Sequence, residues 1–220
     1  MAASTSRRSR QTAKPPRPTR LLLIRHAEVE SRYQRVFGGQ IDMDLSPRGR
    51  VQARILAKFL SAKKFDAIYA SPMKRVQQTL APFLKNGAPP QTILRDLREV
   101  HFGDWTGLNW DEVRKKFGVH PYDWLDEIEQ GAVPNGESRI QFSARVENCL
   151  RKIIQNHSSG QTIAIFCHGG VIRMILSSLV GLPLPKTNQF EIEYTSVTQV
   201  ALHPHMNEIE LLNLTPWRDL

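Results

Sequence analysis

Two short apolar runs constrain this chain more than any other feature. Residues 20–25 read RLLLIR and residues 162–167 read TIAIFC. Each run is continuous rather than alternating, and each is too short for a helix. That pattern suits a strand covered on both faces, as in a parallel sheet between helical layers. The rest of the chain supplies the layers. Ser46-Pro47 sets an N-cap before a proline at the first helical position, opening a helix through Ser61. Val51, Ile55, Leu56, Phe59 and Leu60 share one face of it at helical spacing. Residues 66–70 (DAIYA) read as a second strand. Ser71-Pro72 repeats the cap-and-proline signal and starts a helix to Leu84, which Asn86-Gly87 and Pro89-Pro90 end.

Further along, the pattern predicts a strand at 92–94, short helices at Trp110–Phe117 and 122–129, and a longer helix at 138–156. A strand follows at Thr162–Cys167 and a helix at Gly169–Val180. Three more strands are expected at 189–194, 196–202 and 208–213, the last two forming a hairpin through 203–207. Strands alternating with helices specify an α/β fold: a three-layer sandwich whose mostly parallel, mixed sheet carries helices on both faces. Residues 99–137, with several helix breakers, read as a small cap insertion covering the sheet edge. The domain itself is expected to span 20–220.

Composition narrows the partners. The chain has 220 residues, 40% of them hydrophobic, enough for a substantial core. No apolar run reaches the roughly 18 residues a membrane helix needs. The net charge is +9, but residues 1–20 hold six of the 30 basic residues and no acid. Beyond them 24 bases face 21 acids, so the body carries no nucleic-acid footprint. Residues 1–19 have almost no large apolar side chain and read as a disordered basic tail. A nucleic-acid arm and a transit peptide are the alternatives for that segment. Cys149 and Cys167 lack metal-like spacing and read as two reduced, buried thiols of a cytoplasmic protein. Neither nucleic acid nor a membrane is expected as a partner, and homodimer formation is left open.

Ligands of open α/β sheets bind beyond the carboxyl ends of the strands. Three strand ends here carry unusual residues: Arg25-His26; Ser71-Pro72, with Arg75 one helical turn on; and His168-Gly169-Gly170. Together they make a cationic site with imidazoles at its centre. A phosphomonoester is a dianion, and its transfer spreads charge over the equatorial oxygens. Arg25 and Arg75 can clamp those oxygens with forked, charge-assisted bonds. The helix opening at Gly169 offers free N–H groups to an anion. An imidazole held in the right tautomer is a competent nucleophile near neutral pH, and a second, protonated imidazole would stabilise the transferring group. Glu99 or Asp104 can protonate the leaving oxygen. Each residue alone has an ordinary reading: a histidine at a strand end is commonly structural. The coincidence at three strand ends carries the inference.

These residues also resemble a known family. The run LLLIRHAE, with Arg25-His26-Ala27-Glu28, is similar to the Arg-His-Gly signature of the histidine phosphatase superfamily, the phosphoglycerate-mutase-like proteins. Residues 38–53 (GGQIDMDLSPRGRVQA) resemble the segment that follows that signature. SPMKR, ending in Arg75, matches the family's Ser-Pro-x-x-Arg, and REVHFGDWTG resembles its acid-bearing segment. PNGES and CHGGVIR complete the order, so the resemblance covers about residues 20–202. It implies a phosphohistidine on His26, a phosphate pocket of Arg25, Arg75, His168 and Gly169, and Glu99 as general acid and then base. It implies no metal and no cofactor. Ala27 stands where the family usually has Gly, and Val29 where Thr is common. Arg32 falls where many members have a phosphate-contacting Asn. Arg32 and Gln40 are therefore kept as further substrate contacts.

The resemblance also bears on the reaction. Mutases of the family that depend on 2,3-bisphosphoglycerate carry a longer insertion between the acid and the second histidine. Here Glu99 and His168 are 69 positions apart, and FGDWTG, WDEV and NGES are similar to α-ribazole phosphatases and broad-specificity members. The expected function is hydrolysis of a small phosphomonoester, with a phosphoglycerate mutase or an inactive phosphate-binding module as alternatives. Candidate substrates are α-ribazole phosphate, phosphoserine, phosphoglycerate-type metabolites and sugar phosphates. The aromatic residues Phe102, Trp105, Trp110, Phe117, Tyr122 and Trp124 are expected to form the cap that selects among them.

Overall fold

The computed structural model describes residues 17–220. The tail expected at 1–19 therefore lies almost wholly outside the described residues, and Thr19 already opens the first strand. The chain runs β1 (Thr19–Arg25), α1 (Pro47–Ser61), β2 (Ala67–Ala70), α2 (Lys74–Leu84) and β3 (Gln91–Ile93). It continues through α3 (Trp110–Phe117), α4 (Trp124–Gln130), α5 (Arg139–Gln155), β4 (Thr162–Cys167) and α6 (Gly169–Val180). The hairpin β5 (Val197–Leu202) and β6 (Asn207–Leu214) and a last turn, α7 (Pro216–Asp219), complete it. The six strands lie in the order β3-β2-β4-β1-β5-β6. The first four are parallel, and the hairpin adds β5 antiparallel to β1 and β6 antiparallel to β5.

The two apolar runs are neighbours. β1 and β4 pair from Arg20 opposite Thr162 to Arg25 opposite Cys167. Because side chains alternate along a strand, each run feeds two cores at once. Leu21, Leu23, Ile163 and Ile165 pack with Phe142, Val146 and Leu150 of α5 and Val171 and Ile175 of α6. Leu22, Ile24, Ala164 and Phe166 pack with Leu56 and Leu60 of α1 and Val76, Leu80 and Phe83 of α2. Burying one such aliphatic side chain contributes about 1.5–3 kcal/mol. Both strands thereby become the most tightly held part of the sheet.

Several expectations are corrected. On α1 the buried side is Gly49, Gln52, Ala53, Leu56, Ala57 and Leu60, whereas Val51 and Ile55 are 44% and 37% exposed. The small residues set the inward face, because they let the helix approach closely: a Cβ on Gly49 would stand 2.0 Å from the Glu28 carbonyl oxygen. Ser71 does not cap α2, which starts at Lys74 after Met73; the Ser71 hydroxyl faces His168 instead, 2.9 Å from Nε2. No strand forms at 189–194. Residues Leu184–Gln189 make a 3-10 turn, and side chains take over what a ladder would provide. Ile192 O accepts from Arg25 and Glu193 N–H donates to Asn213 Oδ1. The sheet edges are β3 and β6, and the 99–137 segment, expected at an edge, also contributes to a cavity. It sits over the carboxyl ends of the strands, where Glu99, Phe102, Trp110, Pro121, Tyr122 and Trp124 line a cavity. Cys149 and Cys167 are buried and unpaired. Burial pushes the Cys149 thiol up to about 11 and raises that of Cys167 as well.

One glycine fixes how this segment folds back. Gly103 adopts φ +48°, and a Cβ there would lie 2.0 Å from the Pro134 carbonyl oxygen. Gly103→Ala is expected to cost about 1–3 kcal/mol, since backbone strain and a rigid clash act in the same direction. Urea unfolding should show it as a lower midpoint at unchanged slope.

Candidate active site

β1 and β4 end side by side, and so do the residues that follow them. The His26 N–H donates to the Cys167 carbonyl at 3.1 Å, which places the His26 and His168 rings 5.3 Å apart in an edge-to-face arrangement. His26 Nδ1 lies 2.8 Å from the Ala27 carbonyl oxygen. A carbonyl only accepts, so Nδ1 carries the proton and Nε2 keeps the lone pair. Arg75 Nε–H donates to that Nε2 at 3.2 Å. The rest of the Arg75 guanidinium donates to the Ile41 and Gly39 carbonyls at 2.8 and 2.9 Å.

Arg25 donates from Nη1 to Ile192 O at 2.6 Å and lies 4.2 Å over the Tyr194 ring. Its Nε is buried with no partner among the described residues, as is His168 Nδ1. Unpartnered buried donors at a cationic cluster suit an anionic ligand. Glu99 reaches across from the cap segment. Its carboxylate accepts from Gly170 N–H at 3.2 Å and from Val100 N–H at 3.0 Å. Gly170 is what makes room for it, since a Cβ there would stand 2.5 Å from Glu99 Oε1.

Electrostatics follow from burial. His26 is held well below the ordinary histidine range by burial first, then by Arg75 and Arg25. His168 is lowered in the same way by burial, Arg75, His26 and Arg25. For both rings burial and the neighbouring guanidiniums favour the neutral imidazole. Burial also lowers Arg75 to about 10, and Arg173 to about 10 with help from Arg25. Both guanidinium groups stay charged at neutral pH.

The cavity is about 510 Å³, and Arg25, His26, Arg75, Glu99 and Gly169 all line it. The structure therefore brings together at one cavity the strand-end residues and the acid singled out from sequence, with buried His168 against His26. Arg32 and Gln40 are not among the lining residues. Arg32 is 69% exposed and paired with Glu30 at 2.8 Å. Around Gln40 it is the flanking backbone carbonyls that reach the site, through Arg75. Asp104 accepts from Asn135 Nδ2 instead, so of the two acids named from sequence Glu99 is the one at the cavity, and Glu193 lines it as well. Of the cap aromatics, Phe102, Trp110, Tyr122 and Trp124 line the cavity, while Trp105 and Phe117 pack behind them. Sequence reasoning missed Arg35, Arg173, Asn188 and Tyr194, which also line it. Arg173 had a signal, four residues after Gly169 on the helix facing the site; the other three sit in irregular segments with none.

Neutral buried histidines carry a stability signature. Below the ordinary histidine pKa of 6.5 the unfolded chain binds protons that the folded chain refuses. The associated stability is complete above pH 6.5 and declines as pH falls, by up to about 1.4 kcal/mol per pH unit for each histidine. The melting temperature should therefore fall more steeply between pH 7 and 5 than that of a His26→Gln, His168→Gln double variant. Equal slopes would mean that both imidazoles protonate freely in the fold.

Comparison with known proteins shows the family. Residues 21–215 match the histidine phosphatase superfamily (branch 1). The chain is 32% identical over 202 residues to phosphoserine phosphatase 1 of Hydrogenobacter thermophilus, covering 89% of this chain and 92% of the relative. It is 34% identical over 168 residues to the 2,3-bisphosphoglycerate-dependent phosphoglycerate mutase of Bartonella bacilliformis, covering 74% and 82%. The crystal structure of a putative alpha-ribazole-5'-P phosphatase from Escherichia coli superposes with a TM-score of 0.79 at 27% identity, covering 90% of this chain and 97% of that one. The strand-end histidines, their arginines and Glu99 all fall within the matched span, and the chain belongs to the histidine phosphatase superfamily.

Proposed function

We propose that this protein hydrolyses a small phosphomonoester through a phosphohistidine on His26, with Glu99 as proton donor and then acceptor. The observation that carries the reading is the fixed tautomer of His26: Nδ1–H is held by the Ala27 carbonyl, so the Nε2 lone pair is directed at the arginines. Nε2 attacks phosphorus while the ester P–O bond breaks, and Glu99 gives the departing oxygen its proton. Water then attacks the phosphorus of the phosphohistidine, losing a proton to the Glu99 carboxylate. The P–N bond breaks and inorganic phosphate leaves.

The surrounding groups serve the charge. Arg25 Nε donates to the equatorial oxygens, and Arg75 Nε, which holds His26 Nε2 in the free site, turns its N–H to them as that lone pair engages phosphorus; both are donors aimed in advance at the developing charge. Burial and then the arginines hold His168 neutral; a phosphate dianion offsets the arginine charge and gives the buried proton a partner, so His168 takes up a proton and donates to the transferring group. The cavity is far larger than a phosphate. Its aromatic wall and its outer residues Arg35, Arg173 and Asn188 leave room for the organic part of a metabolite. The phosphatases among the relatives act on phosphoserine and α-ribazole phosphate, by their names, and both are candidates here. With Cys149 and Cys167 both unpaired, a reducing cytoplasmic location fits.

The likeness to the Bartonella mutase supports a second reading, in which the phosphoryl group returns to a bound monophosphoglycerate. The short span from Glu99 to His168 favours hydrolysis.

An aryl phosphate series tests the mechanism. His26→Ala should abolish turnover and leave no acid-labile phosphoenzyme, and labelling that survives would move the nucleophile elsewhere. Glu99→Gln should slow turnover about 10²–10⁴-fold for poor leaving groups and much less for good ones; an equal loss across the series excludes the acid role. Robust exchange between 2- and 3-phosphoglycerate with added bisphosphoglycerate would replace the phosphatase reading by the mutase one.

A further inference from the structure

The outer side of α1 has a composition that neither the core nor the catalytic cavity explains. Between Asp44 and Asp66 the chain carries six cations, Arg48, Arg50, Arg54, Lys58, Lys63 and Lys64, and no acid. Residues four apart on a helix stack into rows. Arg50, Arg54 and Lys58 form one exposed row. Val51, Ile55 and Phe59 form the row beside it, with Val51 and Ile55 44% and 37% exposed and the Lys63 ammonium 5.1 Å from the Phe59 ring centre. Arg48 is engaged, 3.5 Å from Glu28 and 4.7 Å over Trp217. Among the described residues, no carboxylate lies within ion-pairing distance of Arg50, Arg54, Lys58, Lys63 or Lys64.

Like charges four apart repel, and exposed β-branched side chains gain nothing from water. In isolation both rows cost stability. A partner that takes cations and aliphatic side chains on one convex surface relieves both at once. We propose that the outer face of α1 docks on an anionic phospholipid surface. The cation row meets the lipid phosphates, and Val51, Ile55 and the edge of Phe59 enter the boundary between headgroups and acyl chains. A nucleic-acid duplex satisfies the cations alone, because the aliphatic row offers no hydrogen-bonding group to a base or phosphate.

The placement leaves catalysis free. α1 starts near the cavity, where Ser46 N–H donates to Glu28 O, and runs to Lys63 and Lys64 just before β2. β2 is parallel to β4, and β4 to β1, so Lys63 and Lys64 lie at the end of the sheet where the chain enters β1. The cavity lies at the opposite end. Docking requires no unfolding either, since Leu56 and Leu60 remain in the core. This is contact with a surface, not a span: no helix among the described residues is long and apolar enough to cross a membrane. It departs from the sequence expectation of no membrane partner, which considered only spanning segments and net charge.

Co-sedimentation of the full chain tests the proposal. The vesicles are phosphatidylcholine alone, or phosphatidylcholine with about one-third phosphatidylserine, at low and at near-physiological salt. Binding is expected only to the anionic vesicles, weakening as salt rises. An Arg50→Gln, Arg54→Gln, Lys58→Gln variant should bind on the order of 100-fold more weakly, about fivefold for each cation lost. A Val51→Ser, Ile55→Ser variant should also bind more weakly. Both substitute exposed positions that do not line the cavity, so their aryl phosphate turnover should match the parent and their melting temperature should not fall, which reports an intact fold. No binding to anionic vesicles, or binding that the triple variant retains, overturns the proposal; in the second case the basic residues 1–20 suffice. Duplex DNA bound as tightly as the vesicles, with vesicle binding insensitive to the Val51 and Ile55 substitutions, would make α1 a general polyanion surface and also overturn it.

Discussion

The pairing of β1 with β4 governs the rest of the molecule. Both strands are buried on both faces, and each alternates its side chains between the α1–α2 layer and the α5–α6 layer. Their parallel register brings Arg25 level with Cys167, and one residue further it brings His26 beside His168. The placement of the two histidines is thus set by the same contacts that stabilise the sheet, while Arg75 and Glu99 reach them from α2 and from the segment after β3.

This arrangement has an electrostatic consequence. Two imidazoles and the guanidinium groups of Arg25, Arg75 and Arg173 share one partly enclosed space with few carboxylates. Backbone carbonyls hold the guanidiniums: Gly39 and Ile41 take Arg75, Ile192 takes Arg25 and Thr187 takes Arg173. Carbonyls orient a guanidinium without cancelling its charge, so the positive field stays available for a ligand. The histidines respond by staying neutral, which for His26 preserves a nucleophilic lone pair.

The surface shows the converse arrangement. Several cations outside α1 pair with acids: Arg20 with Glu210, Lys74 with Asp44, and Arg139 with Glu129. The outer rows of α1 have no such partners and carry aliphatic side chains beside them. The proposed membrane contact is therefore an argument about one helix face, on ground separate from the chemistry of the cavity.

Much of this protein was legible in its sequence. Continuous apolar runs can only be strands covered on both sides, so 20–25 and 162–167 specified a parallel sheet between helices. Local signals with a single physical cause, such as the Ser46 cap and the Gly-Gly after His168, marked helix starts closely. The strand ends named Arg25, His26, Arg75 and His168, because ligands bind where a parallel sheet ends. Other features depended on long-range contacts that no local pattern encodes. Which face of α1 turns inward was decided by Leu56 and Leu60 together with the close approach of Gly49 to the Glu28 backbone, and not by Val51 and Ile55. Residues 189–194 look like a strand, but β5 takes the edge of β1 and leaves them no ladder. The inclusion of Arg173 and Tyr194, and the exclusion of Arg32 and Gln40, were fixed by the path of irregular segments over the cavity. The sequence by itself determined the sheet and the chemistry at its strand ends, since periodicity and capping are local. Only the tertiary structure decided the walls of the cavity and the charge state of its histidines, since both arise from burial among residues far apart in the chain.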